Sequence, residues 1–351
     1  MKAIFIVRPG KVEIREIPMP RPNHGEALLK ICYGGICGSD LSAYSGTFAY
    51  FDYPRIPGHE FSAEIVDIEP NNLGLKAGTL VTANPYFNCG KCYSCQRGLV
   101  NACMDNQTMG CQRDGAFCEY IVMPVERLYH GRGLSPQILA TIEPYCIGYH
   151  GVSVASVRPG ENVLIVGGGT IGTMAAIAAK AAGANVYLCD LPEAKEKIRN
   201  SCRALDLNGI VLNEGSEAMA ESVRKITGTT LQRGKVIGRG FDVCIEAVGH
   251  PQTFQTCIDC AAFGGRIVLI GVSKQKLDFN FNDIQKKELK IFGSRNAMKL
   301  DFLHAIDAAV SGQLPIDQVI TNIYSFGDVA RAFEEYKRER GKMIKVLLDF
   351  T

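Results

Sequence analysis

Along the first third of the chain, apolar positions alternate with polar ones in short runs, a period of two that predicts strands with one buried face. These runs cover residues 3–7, 11–17, 26–37, 60–69 and 79–86, with Gly, Pro and Asn punctuating the gaps. Together they predict an irregular antiparallel barrel. Residues 134–155 shift to a helical period. From residue 161 the rhythm changes again: predicted strands over 162–167, 185–190, 209–213, 241–247, 266–271 and 289–293 alternate with helices over 170–182, 192–203, 216–227 and 252–262. That alternation is the mark of a doubly wound parallel sheet. Two more helices, 300–310 and 327–340, and a closing strand, 344–350, return to the first part of the chain. The expected layout is one domain over 1–150 and 294–351, with a second, 151–293, inserted into it. No internal repeat or low-complexity segment interrupts the pattern.

A length of 351 residues favours two cores over one. With 46% apolar and 21% charged residues, the composition is that of a folded globular protein. A formal net charge of +2 offers no basic field for nucleic acid and no polybasic patch for a membrane surface, so neither partner is expected. The longest apolar stretch, 163–179, is broken by Gly167, Gly168, Gly169 and Gly172, and too few apolar residues precede Arg8 and Pro9 for a secretory core. A cytoplasmic location is expected. In a reducing compartment the 14 cysteines are not a disulfide framework. Five stand where a metal would suit them. Cys32, Cys111, Cys118, Cys146, Cys189, Cys202, Cys244, Cys257 and Cys260 read as small buried hydrophobes.

Gly167-Gly168-Gly169-Thr170-Ile171-Gly172 follows the apolar strand 163–166 and opens a helix. Gly167 permits the sharp turn, Gly169 lets the backbone approach a pyrophosphate, and Gly172 lets helix and strand pack closely. The helix start supplies N–H donors and a partial positive charge. Asp190 closes the next strand about 20 residues on, where a carboxylate accepts ribose hydroxyls and repels a 2′-phosphate. Leu191-Pro192-Glu193 offers no cation to such a phosphate. The expected cofactor is NAD.

Cys89, Cys92 and Cys95, with Cys103 eight positions later, can close a tetrahedron around Zn²⁺ with no open position, a structural site. A [4Fe–4S] cluster also takes four cysteines, but with different spacing and a following proline. A second group, Cys37-Gly38-Ser39-Asp40, Gly58-His59-Glu60 and Glu143-Pro144, offers thiolate, imidazole and carboxylate. Three protein ligands and one vacancy make a catalytic zinc site.

On these motifs, with Asp114-Gly115-Ala116-Phe117 between them, the chain resembles the zinc-containing medium-chain dehydrogenases over nearly its whole length, in the sorbitol/polyol and threonine branch. Glu143, where classical alcohol dehydrogenases have a second Cys, aligns it with the polyol enzymes. The resemblance implies an α/β architecture: a GroES-like irregular β-barrel catalytic domain and a Rossmann doubly wound parallel sheet. It implies one catalytic zinc on Cys37, His59 and Glu143, with Glu60 able to approach, and one structural zinc per chain. Asp40 would orient His59, and Ser39 would take the alcohol proton. Phe117 and Arg295 would touch substrate, and Val248 would join the glycine segment against the cofactor. Many relatives carry His three positions after the Ser; this chain has Ser42.

The implied reaction moves hydride between NAD(H) and a secondary alcohol of a polyol or sugar acid, in a homodimer or homotetramer. A threonine-type or simple secondary-alcohol dehydrogenase is the alternative substrate reading. A non-catalytic, zinc-stapled dinucleotide binder is the alternative class. Arg113 and the pair Lys286-Lys287 read as solvated loop charges, and His150 as a helix-packing residue.

Overall fold

A computed structural model describes residues 1–48, 50–312 and 314–351. The chain divides into two compact units, Met1–Cys146 with Asn296–Thr351, and Ile147–Arg295. The first division falls four residues before the expected 150/151 boundary and the second two residues after 293/294. The reason for the first is helical: Gly148, in the helix Ile142–Ala155, packs so closely on the helix Thr170–Ala181 that a Cβ there would lie 2.4 Å from the Ala175 nitrogen.

In the first unit, among the described residues, one sheet runs Ile320–Ser325, Lys345–Asp349, Glu26–Ile36, Glu60–Ile68, Leu80–Ala83 and Leu128–His130, with Tyr120–Pro124 also paired to Glu26–Ile36. Its register pairs Val346 with Ile36 and Gly35 with Glu60. Ala27, Leu29, Ile31, Phe61, Ala63 and Val81 point into one core. Ile4, Ile36, Phe117, Phe333 and Val346 form another. The expected helix over 134–155 is two helices, Pro136–Leu139 and Ile142–Ala155. Ser135 caps the first, its side chain accepting the Ile138 N–H. Pro144 stands in the first turn of the second, where its missing N–H is tolerated.

In the second unit six strands pair in parallel in the order Gly209–Leu212, Asn185–Asp190, Asn162–Val166, Phe241–Glu246, Ala261–Leu269, Lys290–Gly293. The strand order therefore reverses beside Asn162–Val166, where a doubly wound sheet takes its ligand. An antiparallel hairpin, Thr229–Gln232 with Lys235–Gly238, interrupts the alternation and was not expected. Lys287 departs from its reading as a solvated charge: its Nζ donates to the Ile258, Asp259 and Ala261 carbonyls and caps the helix Pro251–Cys260. Among the described residues no helix is long and apolar enough to cross a membrane.

Candidate active site

The strand Glu26–Ile36 delivers Cys37 to the N-cap of a short helix, Gly38–Tyr44. Asp40, in the first turn of that helix and buried, accepts the Cys37 N–H at 2.9 Å through Oδ2 and the Gly58 N–H at 3.3 Å through Oδ1. One carboxylate thereby ties together the two segments that carry Cys37 and His59. The expected role of Asp40, orienting the His59 ring, is not what the geometry shows: His59 Nδ1 is buried with no hydrogen-bond partner. Both Asp40 oxygens are committed to backbone, so it positions His59 through the main chain, and only its charge acts on the ring directly. Burial raises the Asp40 carboxyl above its usual range.

Gly58 has φ +95°, and a Cβ there would stand 2.2 Å from Phe117 Cδ1. Phe117 is itself fully buried and pairs with Phe350 in the core. That corrects its expected place among the substrate contacts. Its ring fills the room left by Gly34 and Gly58 and supports the turn before His59 from behind.

The ligand atoms of Cys37, His59 and Glu60 lie within 4.8 Å of one another. Glu143 does not belong to that set; its Oε1 accepts the Tyr86 hydroxyl instead. The third donor at hand is thus Glu60 and not the expected Glu143. Glu60 reaches the site because Gly35, across the strand pair, has no side chain: a Cβ there would collide with Glu60 Oε2. Behind Glu60 sits Lys345, fully buried, its Nζ ion-paired with Glu60 Oε2 and donating to the Ile36 carbonyl at 3.0 Å.

The cluster is strongly charged. Burial raises the Glu143 carboxyl to about 7, with Glu60 adding to the rise. Burial pushes the His59 imidazole down, but Cys37, Asp40 and Glu143 outweigh it and hold it well above its usual value. Thiol, imidazole and carboxylate converge on one point, where His59 Nδ1 and Glu60 Oε1 are buried without a hydrogen-bond partner while Glu60 Oε2 is held by Lys345. Buried polar atoms left without partners are costly, and a divalent cation would satisfy all of them. The residues present fit zinc.

Ser39 Oγ is also buried without a hydrogen-bond partner, so its hydroxyl is available to an incoming group. Ser42 does not extend a relay from it, since its Oγ donates to the Gly38 carbonyl at 2.9 Å within its own helix.

The four-cysteine lobe gathers as the spacing predicts. Cys89, Cys92, Cys95 and Cys103 bring their sulfurs within 4.8 Å of one another. Backbone N–H groups point at the sulfurs, Cys89 to Cys103 at 3.2 Å and Cys92 to Cys89 at 3.4 Å. Backbone donors at Met104 and Cys95 lower the Cys92 thiol to about 6, while burial lifts Cys103 to about 11. Arg127 anchors the lobe's base, donating to the Tyr86 carbonyl and to Asn88 Oδ1. Arg113 lies over the Phe87 ring at 3.7 Å.

In the second unit the glycine turn has an open seat for a diphosphate. Gly167 takes φ +109°. A Cβ on Gly172 would stand 1.7 Å from the Gly167 carbonyl oxygen, so only glycine lets the helix Thr170–Ala181 pack there. Nothing lies within 4 Å of the position a Gly169 Cβ would take. Asp190 Oδ2 accepts the Gly168 N–H at 3.0 Å, and Val248 flanks Gly167, with its Cγ2 2.6 Å from a Cβ there. Val248 is 51% exposed. Arg295 is exposed at the last position of this unit.

Sequence reasoning missed Lys345 and the role of Tyr86. A lysine ahead of the apolar run Val346-Leu347-Leu348 was the available signal for the first; Tyr86, before the cysteine lobe, reads from sequence as a pocket-lining residue or an aromatic strand end, and its bond to Glu143 leaves no local sign. Of the nine scattered cysteines, eight are buried and Cys202 is half-buried.

Residues 23–132 match the alcohol dehydrogenase GroES-like domain, and residues 170–311 match the zinc-binding dehydrogenase domain. The chain is 35% identical to L-galactonate-5-dehydrogenase of Escherichia coli K12, covering 96% of this chain and 94% of that one. Galactitol-1-phosphate dehydrogenase from Escherichia coli superposes with TM-score 0.87 at 28% identity, over 99% of this chain and 100% of that one. A zinc-binding dehydrogenase from Sinorhizobium meliloti 1021, bound to NADP, gives TM-score 0.85 at 27% identity, over 99% and 98%. On these matches and the motifs that carry them, the chain belongs to the zinc-containing medium-chain dehydrogenases, in their polyol and sugar-acid branch.

Proposed function

We propose that this protein is an NAD-dependent dehydrogenase that oxidises a secondary alcohol of a polyol or sugar acid to a ketone. The observation that carries the reading is the convergence of Cys37, His59 and Glu60 within 4.8 Å, with buried donor atoms lacking partners. Zinc held there would act as a Lewis acid on a substrate oxygen. NAD would supply the hydride acceptor.

The chain's own residues do the rest. Cys37, His59 and Glu60 would hold the metal, and Glu143, whose Oε1 accepts the Tyr86 hydroxyl, adds a second buried carboxylate whose charge acts on His59. Ser39 Oγ accepts the proton of the substrate hydroxyl and passes its own to water, because Ser42 is turned back on its helix. Asp190 accepts the adenosine ribose hydroxyls, and the N–H groups at the start of Thr170–Ala181 meet the diphosphate over Gly169. The four-cysteine lobe holds the structural zinc and does no chemistry. A homodimer or homotetramer is part of this reading; the strand Lys290–Gly293 ends the parallel sheet with Ile291 exposed.

The test is a panel of hexitols, pentitols, aldonates, threonine and short alcohols assayed with NAD, alongside metal analysis. Two zincs per chain and turnover confined to polyols or aldonates are expected. Cys37→Ser should lower kcat/KM by at least about a hundredfold while binding of ADP-ribose survives. Full activity in the Cys37→Ser variant or in zinc-stripped protein overturns the reading.

A further inference from the structure

Asp190 is not alone at the end of its strand. Its Oδ2, which accepts the Gly168 N–H at 3.0 Å, also lies 3.5 Å from the Nζ of Lys197. Its Oδ1 accepts the Leu191 N–H at 2.8 Å. Lys197 comes from the helix Lys195–Ala204, one turn beyond the Leu191-Pro192-Glu193 segment in which the sequence shows no cation. The pair is largely sheltered, with side-chain exposures of 7% for Lys197 and 20% for Asp190. Neighbouring packing fixes its position. A Cβ on Gly168 would stand 2.2 Å from Ile198 Cγ2 and 3.2 Å from Asp190 Oδ2, so glycine turn, strand end and helix meet at one point.

A carboxylate at this position favours NAD for two separable reasons. It accepts hydrogen bonds from the ribose hydroxyls, and its charge repels a 2′-phosphate. Lys197 leaves the first intact, because Asp190 keeps its geometry through two backbone N–H donors. It cancels much of the second. In a sheltered position the compensation is weakly screened by salt, unlike that of a surface pair. In folds of this kind that take a 2′-phosphate, a nearby arginine accommodates it.

The geometry points to Lys197 as the residue that sets coenzyme selectivity: it offsets Asp190, so this protein binds 2′-phosphorylated coenzyme as well as NAD. The inference rests on the dinucleotide reading above.

Calorimetric titration of the full chain with ADP-ribose and with 2′-phospho-ADP-ribose tests it without knowledge of the substrate. The wild-type chain is expected to bind both within about tenfold of each other. Lys197→Met should weaken 2′-phospho-ADP-ribose by about tenfold or more and leave ADP-ribose within about twofold. Lys197→Arg should retain both. An unchanged ratio in Lys197→Met overturns the inference, as does an equal loss for both ligands, which marks a purely structural role. Wild-type binding of ADP-ribose alone also overturns it while sparing the NAD reading. If the wild-type chain binds neither ligand, the dinucleotide reading itself fails. Thermal melts of both variants separate misfolding from selectivity.

Discussion

Lys345 and Glu60 are both withdrawn from water, one fully and the other nearly so, and each is the charge that makes the other tolerable. Burial alone would lower the Lys345 ammonium; Glu60 raises it above its usual value, so the cation persists. Taking two ions out of water costs several kcal/mol each, and removal of one partner leaves the other uncompensated. Lys345→Met is therefore expected to lower unfolding free energy by about 3–5 kcal/mol in urea denaturation of metal-stripped protein. Adding Glu60→Gln should recover part of that loss, since the stranded charge is gone. A single variant as stable as the wild type would show that the pair is not formed. The same residues explain what the sequence left open. Cys37, His59, Glu60 and Glu143 were all legible from their short motifs, but the choice between two carboxylates was not. Lys345 bonds a carbonyl 309 positions away, and Tyr86 reaches Glu143 across 57. Neither separation leaves a local trace.

Short elements in this chain differ in what holds them. The hairpin Thr229–Gln232 and Lys235–Gly238 turns on Arg233 and Gly234, both at positive φ, as a two-residue hairpin loop requires. It escaped the sequence pattern because its first strand is mostly exposed and shows no buried alternation. The central parallel strands, Asn162–Val166 and Phe241–Glu246, were legible for the opposite reason: both are apolar runs buried on both faces. The cysteine lobe is a third case. Its helix Tyr93–Gln96 and the turn Val100–Ala102 bury no residue and have no side-chain cap. Beyond the hydrogen bonds of Arg127 at its base, thiolates gathered around a metal would be the main source of order there. Chelation, or Cys103→Ser, is expected to open the lobe to trypsin at Lys91 and Arg97, read as new fragments by mass spectrometry. Equal resistance in the variant and the wild type would show that the lobe stands without metal.

At the scale of the whole chain, the first unit is discontinuous: 149 residues, Ile147–Arg295, separate its two parts. Its sheet is closed by the last strand, Lys345–Asp349, which enters between Ile320–Ser325 and Glu26–Ile36 and pairs in register with Tyr33 to Ile36. Pairing across so long a separation carries a loop-closure cost before any contact offsets it, and such topologies form slowly. The metal site inherits this dependence, because Cys37 follows the paired residue Ile36 and Glu60 leans on Lys345. Three of the five strand residues are fully buried apolar side chains, Val346, Leu347 and Leu348. Burying each contributes about 1.5–3 kcal/mol, a large share of a domain's net stability. A chain ending at Arg340 therefore lacks a central strand, the counter-ion of Glu60 and three core side chains at once. The expected outcome is loss of the zinc held by Cys37 and His59, with the urea transition of the first unit abolished. Retention of that zinc in the truncated chain, by metal analysis, would show that the site forms without the closing strand.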